Sequence, residues 1–335
     1  MNVEYKQENG VFLRTSSIPD LGRIDSIILD IDGVILDVRS SFREAISRTT
    51  QFFFTKVLRW TGKAILILPV ETQFFKQAGG FNNDWELTYA AVLFFLAKSV
   101  QFDNQNLDYL KNRGKSVKDF SKEVAVQGGG LEAAQKVLFS TRKQAQVEKI
   151  TSKWDRAKIK QIFQEIYGGV DYCQTLYGFK PEYIEEEGLI NQEIALIKAE
   201  DLQPFYPKIG IITGRTVEEA RIALDFASLE SMISEKAVLD DDGGLTKPDP
   251  RILMNLGEIL GVTTGIYVGD TVDDLRTAIN YQALEAEKKL QTQFLSGLIT
   301  QREPEKKMFF NLGADIVAEN PGQMLDMLSR LRKRG

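Results

Sequence analysis

Asp30 and Asp32 stand one residue apart at the end of the apolar run Ser26-Ile27-Ile28-Leu29 and are followed by Gly33. Strand side chains alternate faces, so two carboxylates spaced by two leave a strand in the same direction. Paired carboxylates repel, and burying either is costly unless a cation sits beside them. Carboxylate oxygens are natural ligands for a hard divalent ion. A glycine just beyond lets the backbone turn sharply. Read alone, the same residues would also suit a polar strand-to-loop turn.

Three further polar motifs sit where strands of the same domain should end. Ile211-Ile212-Thr213-Gly214-Arg215 delivers a hydroxyl and then a glycine. Lys247-Pro248-Asp249-Pro250 places a lysine just before a helix, and Tyr267-Val268-Gly269-Asp270-Thr271-Val272-Asp273-Asp274 ends a strand in more carboxylates. Open α/β sheets bind ligands at the carboxyl ends of their strands, so all four motifs are expected on one edge. Together they offer what phosphoryl transfer needs: a carboxylate-held metal, donors for non-bridging oxygens, a fixed cation, and an aspartate able to form an acyl-phosphate. Histidine is absent from the 335 residues, which excludes a Ser-His-Asp triad or a His-ligated zinc site. Acid–base work then falls to carboxylates, Lys, Tyr or the single Cys173.

The elements that must position these motifs change character along the chain. Residues 1–24 read as a polar lead-in with no apolar signal block, followed by a strand over 26–31. From about 39 to 200 the pattern is helical. Helices are expected from 42, from 71 to a stop at Gly79-Gly80, over 87–97, from 131 into the 140s, over 156–167, and over 191–198. Asn82-Asn83-Asp84-Trp85 reads as a helix cap plus a packed Trp, with Trp85 also a candidate for contacting substrate. After residue 200, strands at 208–212, 237–239, 266–268 and 315–317 alternate with helices at 217–226, 250–260 and 273–281. Alternation of this kind predicts a parallel sheet with helices on both faces. The expected organisation is an α/β fold: a discontinuous core of 22–38 and 201–335, with an all-helical insertion over 39–200.

The order Asp-x-Asp-Gly-Val, Thr-Gly-Arg, Lys-Pro and Gly-Asp-x-x-x-Asp resembles the haloacid dehalogenase superfamily of phosphohydrolases. The resemblance covers residues 24–38 and about 206–283. The long insertion is similar to the helical cap of the phosphoglycolate-phosphatase-like branch. The resemblance implies a Rossmann-like three-layer core and an Mg2+-dependent phosphatase acting on a small phosphorylated metabolite. It implies Asp30 as nucleophile and Asp32 as the acid for the leaving group and then the base for water. Gly33, Thr213, Gly214 and Lys247 become the phosphate-binding set. Asp30, Asp270 and the backbone carbonyl of Asp32 become the metal ligands, with Asp274 in support. A phosphomutase, or a binding protein on the same scaffold, would carry the same motifs. Asp32 disfavours the dehalogenase branch, which lacks that carboxylate. The sequence departs from the pattern in the length of its insertion and in an extra charged segment over 285–307.

Other features have plainer readings. Thr213 alone would serve as a helix N-cap, and Asp273 as a helix-start carboxylate. Asp240-Asp241-Asp242 reads as a solvated acidic loop and Cys173 as a half-buried small residue. A net charge of -5 argues against nucleic acid as the main partner. No apolar run reaches membrane-spanning length, and the lone cysteine fits a reducing cytoplasm. Oligomeric state and substrate identity are not readable from the chain.

Overall fold

The strand that leads into Asp30 lies inside the sheet, with a parallel neighbour on each side. In the computed structural model, which describes residues 4–81, 83–239 and 244–333, ten strands are seen. They are β1 (Tyr5–Glu8), β2 (Val11–Arg14), β3 (Ser26–Leu29), β4 (Leu36–Asp37), β5 (Ile194–Ala195), β6 (Ile209–Ile212), β7 (Val238–Leu239), β8 (Thr264–Gly269), β9 (Gln293–Ile299) and β10 (Ile316–Ala318). Eight form one sheet in the order β1-β2-β10-β9-β8-β3-β6-β7. From β10 to β7 every pairing is parallel, while β2 runs antiparallel to β10 and β1 to β2.

Burial follows from that order. β3, β6, β8 and β10 are buried at every residue, as strands covered on both faces must be. One apolar cluster joins Ile28, Ile212 and Tyr267 to Leu253 and Leu256 of the helix Arg251–Leu260. A second joins Leu298 and Val317 to Leu275 and Phe309 on the helices Val272–Lys288 and Glu303–Leu312.

The chain divides into two compact units, residues 1–37 with 194–335, and residues 38–193. The second unit contains helices and no sheet strand among its described residues. Its longest apolar helix, Asp84–Phe102, is buried from Leu87 to Ser99. Asn83 caps that helix by accepting from the Glu86 N–H at 2.9 Å. Trp85 packs its ring edge-on to Phe163, with Lys160 Nζ 4.4 Å from the ring centre. No helix among the described residues is long and apolar enough to cross a membrane.

Four expectations from the sequence are corrected. Residues 4–14 are not a lead-in but the edge hairpin β1–β2, turning at Asn9 (φ 50°) and Gly10 (φ 76°). Asn-Gly flanked by extended residues is a strong short-range hairpin signal. The charged stretch 285–307 contains β9, whose Phe294-Leu295-Ser296-Gly297-Leu298-Ile299 run is buried between charged flanks. The helix expected over 156–167 continues to Tyr177 through a break at Gly169, where φ is 58°. Residues 191–198 form no helix: a 3-10 turn at Leu189–Gln192 leads into β5, which pairs with β4. Asn82 and Asp240-Asp241-Asp242 lie outside the described residues.

Candidate active site

β3, β6 and β8 end side by side, because Leu29 pairs with Ile211 on one flank and Val268 on the other. Asp30, Thr213 and Asp270 each follow one of these strand ends. The Asp30 N–H still donates to the Val268 carbonyl at 2.9 Å, so the sheet register fixes where its carboxylate begins.

Lys247 Nζ lies 2.8 Å from Asp30 Oδ2 and 2.8 Å from Asp274 Oδ1. Asp30, Asp270 and Asp274 each offer a carboxylate oxygen within 4.8 Å of the others. Such an all-oxygen set suits a hard divalent cation. Gly33 is what allows it: a Cβ at this position, where φ is 74°, would stand 2.3 Å from Asp270 Oδ2. Gly269 has the same relation to Asp274, at 2.2 Å from its carboxyl carbon.

Asp274 is held from both sides. Its Oδ1 accepts from Lys247 and from the Tyr267 hydroxyl at 2.5 Å. Its Oδ2 accepts from the Asp270 N–H, the Thr271 N–H and the Thr271 hydroxyl at 3.2, 2.9 and 2.6 Å. Thr271 is the N-cap of the helix Val272–Lys288 and Asp274 closes its capping box. Asp273 instead faces Arg276 at 3.4 Å, the helix-start role expected of it.

Burial dominates the electrostatics. It pushes the Asp30 carboxyl up to about 7, against the Lys247 ammonium and with help from the Asp274 and Asp32 charges. Burial also works against the Lys247 charge, but Asp274 and Asp30 outweigh it and hold that lysine well above its ordinary range. For Asp274 burial is again the largest influence, and it is overcome by Lys247 and by the donors on Thr271 and Tyr267, so this carboxyl lies low.

Thr213 is buried, and its hydroxyl accepts from the Arg215 N–H at 3.2 Å, which leaves the hydroxyl proton for another acceptor. It is not the helix cap; Thr216 caps Val217–Phe226. Asp32 is not one of the three clustered carboxylates. Its Oδ1 receives the Arg215 guanidinium, with Nε at 2.8 Å and Nη2 at 2.8 Å.

Three residues of this edge carried no assignment from sequence. Thr271 was findable, since Thr-x-x-Asp at a helix start is a capping pattern. Tyr267 and Arg215 were not, because each acts on a carboxylate from another part of the fold or helix.

A family model described as haloacid dehalogenase-like hydrolase matches residues 24–281, more than half of the chain. The chain belongs to that family. The matched residues include Asp30 and Asp32 just after β3, Thr213 just after β6, and Asp270 just after β8. The mostly parallel α/β sheet is the family's fold.

A solved structure similar to it is "Phosphatase Tt82" from Thermococcus thioreducens, 20% identical, covering 91% of this chain and 98% of that one, with a TM-score of 0.55. A structural-genomics X-ray structure is 14% identical, covers 93% and 100% of the two chains, and has a TM-score of 0.58. Both likenesses concern the fold. Among curated proteins, "Imidazoleglycerol-phosphate dehydratase" of Phytophthora nicotianae is 24% identical over 310 residues. That match takes in 91% of this chain but only 52% of the relative, so the chain spans about half its length.

Proposed function

We propose that this chain is a Mg2+-dependent phosphatase that hydrolyses a small phosphorylated metabolite through an aspartyl-phosphate on Asp30. The observation that carries the reading is Lys247 Nζ at 2.8 Å from both Asp30 and Asp274, beside a third carboxylate on Asp270. A buried carboxylate facing a fixed ammonium, at the open end of parallel strands, is equipped to attack phosphorus while the accumulating charge is offset. The similar Thermococcus protein is named a phosphatase, in agreement with this reading.

The reaction follows from the residues. An Asp30 oxygen forms a bond to phosphorus as the ester P–O bond breaks, and Asp32 passes its proton to the departing oxygen. Asp32, now a carboxylate, takes a proton from water. The water oxygen bonds to phosphorus, the Asp30–phosphorus bond breaks, and inorganic phosphate leaves. Lys247 offsets the charge shared by Asp30 and the phosphoryl oxygens. The Thr213 hydroxyl and the Gly214 N–H donate to those oxygens. Asp30, Asp270 and the Asp32 backbone carbonyl would hold Mg2+, which when bound would supply positive charge to the phosphoryl oxygens. Asp274, with five donors already on its oxygens, supports this set from behind.

Release of inorganic phosphate from a panel of phosphorylated metabolites and from 4-nitrophenyl phosphate tests the reading. Activity is expected with Mg2+ and lost with chelator. Asp30→Asn is expected to lose at least about a thousandfold in kcat, since a carboxamide neither attacks phosphorus nor carries charge. Aluminium or beryllium fluoride, which mimic a phosphoryl group on a carboxylate, are expected to inhibit. Retained activity in Asp30→Asn would remove the nucleophile assignment, and return of phosphate to a sugar instead of to water would favour a mutase.

A further inference from the structure

Arg215 is among the most deeply buried large side chains of the protein, with 1% of its side chain exposed. It follows Gly214 at the carboxyl end of β6, so the sheet register carries it to the edge where Asp32 leaves β3. Two of its nitrogens, Nε and Nη2, converge at 2.8 Å on one oxygen of Asp32, Oδ1. Neither contact engages Oδ2. Asp32 itself keeps 24% of its side chain open to solvent.

A guanidinium is planar, rigid and always charged, so two of its N–H groups on one oxygen fix both the position and the rotation of a carboxyl. Holding a buried arginine costs desolvation that only well-aimed partners offset. An exposed surface pair would need no such burial. The geometry points to Arg215 as a positioning residue that holds Asp32 by Oδ1, so that the proton moves on and off Oδ2.

The inference rests on the reading of Asp32 as acid and base. It adds a division of labour between that residue's two oxygens. As the ester P–O bond breaks, the proton on Oδ2 passes to the departing oxygen and its bonding pair stays on Asp32. In the second half, Oδ2 takes the proton from the attacking water. Oδ1 remains on Arg215 throughout. Without that grip the carboxyl can rotate, and the proton is displaced from the line of transfer, where an error of about 1 Å can cost on the order of 100-fold.

A series of phosphate esters whose leaving groups range from 4-nitrophenol to phenol and a simple alcohol provides the test. An ester with a good leaving group needs little protonation, while a poor one depends on it. Arg215→Met is expected to lower kcat about 30-fold or more on the alcohol ester and less than about 3-fold on 4-nitrophenyl phosphate, with KM little changed. Asp32→Asn is expected to show the same tilt more steeply. In the Asp32→Asn background, Arg215→Met should have almost no further effect, because a residue that acts only through Asp32 has nothing left to position. Arg215→Lys, which keeps the charge but not the two-nitrogen grip, should recover only part of the loss and serves if Arg215→Met does not fold by circular dichroism.

If Asp32→Asn shows the tilt while the Arg215 variants slow all esters equally, or their losses add in the double variant, Arg215 is structural and the inference is overturned. A uniform rise in KM would place Arg215 against the phosphate and overturn it too. Absence of the tilt in Asp32→Asn itself would instead remove the acid–base reading beneath it.

Discussion

Asp30 faces opposed demands: the proposed attack on phosphorus needs it ionised, yet it is buried among other carboxylates. Burial raises its carboxyl to about 7, so between the usual aspartate range near 4 and that value the folded protein binds more protons than the unfolded chain. Stability of the metal-free protein should therefore fall as pH rises through this window, and above it the whole cost of the buried charge is present. Asp30→Asn removes that charge while Lys247 keeps Asp274 as its partner. The expected outcome is a variant that is inactive yet melts a few degrees above the metal-free parent at pH 8, and no higher near pH 4. Differential scanning fluorimetry at the two pH values checks it.

At the scale of elements, two glycines make the same kind of close approach for different ends. Gly33 turns the chain after β3 and leaves room for Asp270, which a Cβ would meet at 2.3 Å. Gly169 breaks the helix Arg156–Tyr177, and a Cβ there would meet the Gly188 N at 2.0 Å. Both have positive φ, where alanine is strained by about 1–2 kcal/mol even before any clash. Gly33→Ala is expected to lower kcat by more than about tenfold, since it displaces the carboxylate cluster. Gly169→Ala should mainly lower the melting temperature, because it acts on backbone packing within residues 38–193. Steady-state kinetics and thermal melts on both variants read the contrast, and the reverse assignment of effects would count against the carboxylate cluster as the working site.

At the scale of the whole chain, the α/β unit is closed by its first residues. β2 pairs with β10, and the Tyr5 hydroxyl donates to the Ala314 carbonyl at 2.6 Å. Asp315 is buried, accepts from the Ser17 hydroxyl at 2.6 Å and from the Ser296 N–H at 2.9 Å, and lies 3.8 Å from Arg14. Removing residues 1–21 would bare the β10 edge and strip two partners from a buried carboxylate. An uncovered edge strand is a template for pairing with another chain. The truncated protein is expected to melt lower and to associate with itself, as read by light scattering. Asp315→Ala in the full chain should cost about 3 kcal/mol, since it leaves the Ser17 and Ser296 donors without their acceptor.

What the sequence determined by itself is the set of strands whose ends bear chemistry. β3, β6 and β8 are apolar runs, legible because buried parallel strands need no polar face, and their terminal residues are polar by contrast. Alternation with helices then places those ends on one edge, and the absence of histidine leaves carboxylates and lysine to do the work. The β1–β2 turn was legible as well, in Asn9-Gly10, though polar flanks hid it. Tertiary structure alone decided which partner each charged group meets. Arg215 reaches Asp32 across 183 residues of chain, and Lys247 spans Asp30 and Asp274. Nothing local encodes such pairings, because they exist only once β3, β6 and β8 lie in register. The same holds for β9, whose charged neighbours in sequence disguise a run that becomes a strand by fitting between β8 and β10. Periodicity reports what a segment can bury; the sheet order decides what it is buried against.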